Sequence, residues 1–235
     1  MMNAEKNMTP RLLAIADCVT KGSTIADIGT DHAYIPIYLM QKGIIKKAYA
    51  MDINEGPISR AEDNILKFKM DDKIVTRLSD GLKKLELGEA DEIVIAGMGG
   101  ILISEILDAR QALWKNTKFV LQPMTATEEL RKYLVKHGFV ITKETLAKED
   151  NKIYQIICAE LGKMQVKREV DYYISPYLVK NKISLTDELI KLRIGEFEKM
   201  LAGLKASNRE ETKEKLKYVE MLLDELYDVQ KECDK

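Results

Sequence analysis

Between Lys21 and about Leu161 the chain alternates short β-rich apolar runs with stretches in which apolar residues recur every three or four positions. That alternation is what βαβ architecture requires. The runs predict strands at Thr24–Ile28, Lys47–Met51, Ile74–Leu78, Glu92–Ala96 and Phe119–Gln122, and the periodic stretches predict helices at Tyr34–Lys42, Pro57–Phe68, Gly100–Gln111 and Ala126–His137. Ile93, Val94 and Ile95 are apolar in succession, which suits a central parallel strand covered on both faces. Phe139–Leu146 and Ile153–Glu160, joined by Ala147–Lys152, read as an antiparallel hairpin closing one sheet edge, for seven strands in all. Ahead of the sheet, Met8–Val19 reads as an amphipathic helix with Leu12, Ile15, Ala16 and Val19 on one stripe.

After Gly162 the pattern changes. Lys163–Val179 reads as a polar, tyrosine-bearing connector. Two strongly periodic helices follow, about Ser184–Lys205 with Leu185, Leu189, Leu192, Glu196, Met200 and Leu204 near heptad spacing, and about Arg209–Lys231 with Leu216, Val219, Leu222, Leu223, Leu226 and Val229. Ser207 and Glu210 have the spacing of a capping box for the second helix. The short turn between the two predicts an antiparallel coiled-coil hairpin. The expected domains are therefore residues 1–162, an α/β unit, and residues 163–235, a connector with the helical hairpin. The hairpin seam can close on itself or pair two copies, so a monomer or a weak homodimer is expected.

Composition narrows the classes without choosing among them. The 235 residues carry 37 basic and 38 acidic side chains, so nucleic-acid affinity would have to come from a local basic surface. No apolar run reaches the roughly 18 residues of a membrane span, and the start lacks the charged-then-apolar pattern of a signal peptide. The expected compartment is the cytoplasm. Cys18, Cys158 and Cys233 are too few and too scattered for a disulfide framework or a metal cluster, so reduced thiols and no metal are expected.

The chemistry lies at the predicted strand ends, where open α/β sheets bind ligands. Thr24-Ile25-Ala26-Asp27-Ile28-Gly29-Thr30-Asp31-His32-Ala33 runs from strand through a glycine-pivoted acidic loop into a helix. A dinucleotide site wants three glycines there, and the carboxylates of Asp27 and Asp31 would repel a pyrophosphate. A cationic ligand without phosphates fits better, and S-adenosylmethionine, a sulfonium with an amino-acid tail, has that charge pattern. The second strand ends at Asp52-Ile53, with Asp52 placed 23 residues after Gly29, near the spacing at which an acidic side chain accepts ribose hydroxyls. Asp80 and Gly81 end the third strand, where they can accept an adenine amine and leave room for its ring. The candidate cofactor ligands are thus Asp27, Gly29, Thr30, Asp52, Ile53, Asp80 and Gly81. Gly97, Met98 and Gly99 join them from the fourth strand end, where glycines would keep side chains off the face from which a methyl acceptor approaches. Each signal alone has a plain structural reading as a cap or tight turn. Three carboxylates in order along one rim are what make a nucleoside site.

Ala26-Asp27-Ile28-Gly29-Thr30-Asp31-His32-Ala33-Tyr34-Ile35-Pro36, Ile95-Ala96-Gly97-Met98-Gly99-Gly100 and Leu121-Gln122-Pro123, followed by a coiled coil, resemble the bacterial tRNA adenine-22 N1-methyltransferase family over nearly the whole chain. The resemblance implies a Rossmann-like class I methyltransferase sheet and transfer of a methyl group from S-adenosylmethionine to ring nitrogen 1 of an adenine in tRNA. Nitrogen 1 of neutral adenine has a lone pair, so positioning is expected to supply most of the rate. Asp31 is the candidate to stabilise the cationic product ring, with His32 orienting it or the adenine. Tyr34 and Met98 are candidate platforms for the base. Gln122 and Pro123 are candidates to meet its edge, and Arg11 to meet substrate. Lys6, Arg60, Arg77 and Arg131, with Lys191, Arg193, Lys199 and Arg209 of the hairpin, are the basic side chains available for phosphates. Two other readings stay open: a methyltransferase for another RNA base or a small molecule, and a nicotinamide-dependent oxidoreductase using Asp52 on a ribose. A Rossmann-like scaffold without activity, recruiting a partner through its coiled coil, is a third.

Overall fold

The computed structural model describes residues 3–206 and 212–233. Five parallel strands, β1 (Thr24–Ile28), β2 (Lys47–Asp52), β3 (Ile74–Leu78), β4 (Glu92–Gly99) and β5 (Lys118–Thr125), form most of one sheet. β6 (Phe139–Glu149) and β7 (Lys152–Leu161) complete it in the order β3-β2-β1-β4-β5-β7-β6, with β7 antiparallel to both its neighbours. The chain winds outward from β1 through β2 to β3, then returns and winds the other way through β4 and β5. The reversal falls between β1 and β4, where connections leave toward opposite faces and open a crevice at the strand ends.

Helices α1 (Pro10–Ala16), α2 (Tyr34–Gln41), α3 (Glu55–Lys67), α4 (Gly100–Asp108) and α5 (Thr127–Lys136) cover both faces. On one face Val94 packs with Ile15, Ile25, Leu39 and Ile65; on the other Ile93 and Ile95 pack with Met51, Leu107, Leu121 and Leu134. Successive side chains of a strand point to opposite faces, so a strand with two cores must be apolar at every position.

Several boundaries differ from the sequence reading. α1 is shorter than expected: Thr9 caps Leu12 N–H at 3.4 Å, Pro10 fills the first turn, and Ala4–Asn7 forms a separate 3-10 turn. α4 stops at Asp108, where the Trp114 indole donates to the Leu107 carbonyl at 3.0 Å. β4 and β5 run past their expected ends because Met98 pairs with Pro123 and Gly99 with Thr125 across a bulge. The expected six-residue connection Ala147–Lys152 is mostly strand. Ala147, Lys148 and Glu149 pair with Tyr154, Ile153 and Lys152, so only Asp150 and Asn151 turn.

The chain divides into two compact units, Met1–Met164 and Gln165–Lys235. In the second, α7 (Thr186–Ala206) and α8 (Thr212–Cys233) pack antiparallel, since Lys205 pairs with Glu220 at 3.0 Å while Tyr227 donates to Glu198 at 2.7 Å. The expected capping box of Ser207 and Glu210 lies outside the described residues. The α8 seam is as expected, with Val219, Leu222, Leu223, Leu226 and Val229 buried. The α7 seam is not: Leu189, Ile190, Ile194 and Phe197 are buried, whereas Leu192 and Met200 are exposed. A heptad count from Leu185 misleads, because Leu185 lies before the helix at φ 72° and so does not set its register. The supposed connector is also structured. Val170 on a 3-10 turn, Leu178 on α6 (Pro176–Lys180) and Ile174 between them are buried, and Glu225 of α8 accepts from Val170 N–H at 2.8 Å. No described helix is long and apolar enough to cross a membrane.

Candidate active site

A cavity of about 400 Å³ opens at the reversal between β1 and β4, lined by Asp27, Gly29, Thr30, Asp31, His32, Ala33, Tyr34 and Ile35 from the first strand end, Ala96 and Gly97 from the fourth, and Arg11 and Leu12 of α1. That is the size and place expected of a small-molecule site. Its floor is fixed by backbone: Gly29 N–H and Thr30 N–H both donate to the Met51 carbonyl, at 2.8 and 3.0 Å, tying the loop to the end of β2.

Asp27 is the most unusual group here. Its side chain is 6% exposed, and among the described residues it has no ion-pair partner. Burial pushes its carboxyl from the ordinary 3.8 up to about 6, with the Thr30 hydroxyl holding it down and the nearby Asp52 carboxylate pushing it further up. A carboxylate left in that condition costs stability unless a cation joins it.

Asp52 and Asp80 stand at the next two strand ends without lining the cavity itself. Asp52 Oδ1 accepts Asn54 N–H at 2.8 Å, and Ser79 N–H bonds to the Asp52 carbonyl at 2.7 Å, so the rim is continuous from β2 to β3. Ile53 is exposed beside it. Asp80 is exposed and paired with Lys83 at 2.5 Å. Gly81 has φ +54°, and a Cβ there would stand 3.1 Å from Ile106.

The glycines of the fourth strand end divide their work. Gly97, at φ +78°, alone of the four residues Gly97-Met98-Gly99-Gly100 lines the cavity. Met98 turns its methyl over Gly29, where a Cβ would overlap it. Gly99 faces the Thr125 hydroxyl, and a Cβ on Gly100 would collide with the Ala126 carbonyl, so these two serve the close passage of the chain after β5.

Two sequence expectations are corrected by burial, and a third residue, Asp31, is found already paired. Gln122 and Pro123 are buried, Gln122 completely, and cannot meet a substrate edge. Gln122 Oε1 instead accepts Arg11 Nη1 at 2.8 Å and Gly97 N–H at 3.1 Å, while its amide donates to the Pro123 carbonyl at 2.8 Å. Asp31 is not a free carboxylate: it is paired with Arg60, and His32 Nε2 lies 3.3 Å from its other oxygen. Both partners of the Arg60 pair are about half exposed, and Asp31 lines the cavity with these contacts already made. Arg131 is 1% exposed and bonded to Glu144 and Gln155 at 2.9 and 2.8 Å, out of reach of any phosphate.

Arg11 does stand at the cavity, held also by its N–H to Glu149 at 2.8 Å and with its guanidinium 5.5 Å from the Tyr154 ring. His32 and Tyr34 stack, centroids 4.9 Å apart and planes 9° from parallel. Arg77 is held by Glu89, at 2.6 Å. In the second unit Lys191 pairs with Asp187 and Arg193 with Glu196, at 2.6 and 2.7 Å; Arg209 lies outside the described residues. Leu12, Ala33, Ile35 and Ala96 line the cavity although sequence reasoning passes over them. Ala33, Ile35 and Ala96 stand inside the motifs, and Leu12 on the apolar stripe of the first predicted helix.

A methyltransferase domain family matches residues 8–157 of this chain. The tRNA (adenine(22)-N(1))-methyltransferase of Bacillus subtilis (strain 168) is 34% identical over 184 residues, covering 76% of this chain and 77% of that protein. The crystal structure of the Bacillus subtilis m1A22 tRNA methyltransferase superposes with a TM-score of 0.87 at 30% identity, over 95% of this chain and 98% of that one. A Streptococcus pneumoniae putative tRNA (m1A22) methyltransferase, solved in complex with S-adenosyl-L-methionine, gives 0.84 at 31% identity over 95% and 99%.

Proposed function

The chain belongs to the tRNA (adenine(22)-N(1))-methyltransferase family, and from that membership we propose that it transfers a methyl group from S-adenosylmethionine to ring nitrogen 1 of adenine 22 in tRNA. One observation in the structure carries the reading: Asp27 is a buried carboxylate with no cationic partner among the described residues, lining a cavity at the sheet's reversal point. An anionic dinucleotide would meet Asp27 unfavourably, whereas the ammonium end of S-adenosylmethionine supplies the missing charge. In this reading Asp52, at the end of β2, accepts ribose hydroxyls, and Asp80 with Gly81, at the end of β3, meets the base of the cofactor. Thr30 and Gly97 line the cavity, and Ile53 stands exposed beside Asp52.

Bound S-adenosylmethionine supplies a methyl on a sulfonium, an electrophile that needs no acid catalyst. The protein's own part is positioning. Gly97, fixed by Gln122, keeps the wall of the cavity clear of a side chain on the acceptor side. The His32–Tyr34 stack offers an aromatic face for an adenine presented out of its helix. Arg11 stands at the mouth with its guanidinium locked in one orientation, suited to a phosphate of the substrate strand. Because adenine nitrogen 1 has its own lone pair, no residue is required to remove a proton before attack, and orientation with exclusion of water supplies the rate. We place the enzyme with its tRNA in the cytoplasm and expect a monomer or weak homodimer, with exposed Lys and Arg side chains available to phosphates.

The test is transfer of labelled methyl to an unmodified tRNA transcript with adenine at position 22 and to a twin with guanine there. Label on the adenine transcript alone is the expected result. Equal label on both would remove the position from the proposal, and label on neither would remove the substrate.

A further inference from the structure

Two residues outside the cavity grip the loop that forms its aromatic wall. Arg60 and Asn64 lie one turn apart on α3, flanking the stripe of buried Ala61 and Ile65. The Arg60 guanidinium closes on Asp31 Oδ1 through both Nε, at 3.1 Å, and Nη2. Asn64 Nδ2 donates to the backbone carbonyl of His32 at 3.1 Å. Glu62, between them, bonds the Thr76 hydroxyl at 2.8 Å and so pins α3 to β3. The gripped segment needs holding, since Ala33 sits at φ 54° in the left-handed region, which a residue with a Cβ adopts at a cost.

The second oxygen of Asp31 faces His32 Nε2 at 3.3 Å. The same ring stacks on Tyr34. Arg60, Asp31, His32 and Tyr34 thus form a chain of contacts from the rigid outside of the domain to the cavity wall.

We propose that Arg60 and Asn64 are positioning residues, a strut on α3 that acts through Asp31 and the His32 carbonyl to fix the orientation of the His32–Tyr34 stack against the target adenine. The inference rests on the activity proposed above and deepens it: Asp31 serves orientation, and Arg60 is engaged inward instead of being a phosphate ligand. The Arg60–Asp31 pair is half exposed, so its strength alone is modest, and the effect comes from orientation of the stack.

The experiment compares full-length wild type with Arg60→Ala, Arg60→Lys, Asn64→Ala, Asp31→Ala and the Arg60→Ala/Asp31→Ala double variant, reading kcat, the KM for tRNA and its salt dependence, and the nitrogen NMR spectrum of the histidine rings. Only two histidines are present, His32 and His137, so each signal is separately read and His137 serves as the control. The expected result is a fall in kcat of about fivefold for Arg60→Ala and for Asn64→Ala with KM for tRNA within twofold, partial recovery in Arg60→Lys, and no further loss from Arg60→Ala once Asp31 is gone. The His32 ring signals should shift in Arg60→Ala, as the ring loses its fixed orientation, while those of His137 stay unchanged. An Arg60→Ala enzyme with unchanged kcat, a raised KM for tRNA and a flatter salt dependence would make Arg60 a phosphate ligand and overturn the proposal. So would an unchanged His32 signal. If wild type fails to methylate tRNA, the activity reading fails, and the histidine spectrum still decides the strut.

Discussion

Arg11 and Gln122, 111 residues apart in sequence, meet at 2.8 Å, and the oxygen that receives the guanidinium also receives the Gly97 N–H. One buried amide thereby fixes two residues that line the cavity, Arg11 and Gly97. Gln122→Ala leaves the Gly97 N–H unpaired and releases Arg11. Losing a buried partner costs roughly 1–3 kcal/mol. Chemical denaturation is expected to show a loss of that size, and the methyl-transfer rate to fall about tenfold or more through misplacement of both groups.

In the proposed site, Asp27 would link stability to cofactor binding. Its carboxyl titrates near 6 in the folded chain and near 3.8 when unfolded, so folding disfavours its ionised form. Below about pH 4 the group is protonated in both states and costs nothing; the cost grows from there to pH 6 and is constant above. The displacement from 3.8 to about 6 corresponds to roughly 3 kcal/mol at pH 7. Asp27→Asn is therefore expected to melt higher than wild type at pH 7 without cofactor, and the gain to vanish near pH 4.

The same carboxylate must be ionised to meet a cation. Affinity for S-adenosylmethionine, measured by calorimetry, is expected to be about tenfold weaker at pH 5 than at pH 7, since each pH unit below the carboxyl's midpoint costs about tenfold when the bound form is ionised. Asp27→Asn should bind weakly and without that pH dependence. Undiminished binding by Asp27→Asn would detach Asp27 from the site.

Arg131 and Glu144 form an ion pair of which each partner is 1% exposed. Removing one side strands the other in the core, at a cost of about 3–5 kcal/mol. Thermal melts of Arg131→Ala and Glu144→Ala should each show losses in that range. Replacing both with apolar residues of similar size should recover most of it, because the pair itself contributes little once desolvation is counted.

Gly100 has backbone, not a flexible side chain, against its missing Cβ, namely the Ala126 carbonyl. Gly100→Ala should cost about 1–3 kcal/mol by denaturant titration, the usual range for overpacking. Gly88→Ala meets no neighbouring atom, yet carries the strain of φ +79°. Its loss should be about 1 kcal/mol.

The strand ends were legible because their signals are local. Apolar runs end in Asp27, Asp52 and Asp80, and the sheet order that gathers them follows from alternating strands and helices. The partners of those residues were not legible. Glu149 meets Arg11 across 138 positions, and Gln122 reads as a surface amide until the bulge between β4 and β5 buries it. Arg131 reads as available for phosphate because a lone arginine in a helical pattern carries no sign of Glu144 thirteen positions later on a strand. In the helical unit the register expected from Leu185 is displaced because that residue precedes the helix. Local composition shows where a rim falls; which side chains close on one another is decided by contacts the sequence does not order.

Methylation of one ring nitrogen is tested most directly by nucleoside analysis. A tRNA transcript with adenine 22, treated with the enzyme and S-adenosylmethionine, would be digested and its nucleosides resolved by chromatography and mass spectrometry. The predicted product is 1-methyladenosine, absent from the digest of the guanine-22 twin. Methyl on the exocyclic amine instead, or 1-methyladenosine in equal amount from the twin, would contradict that assignment.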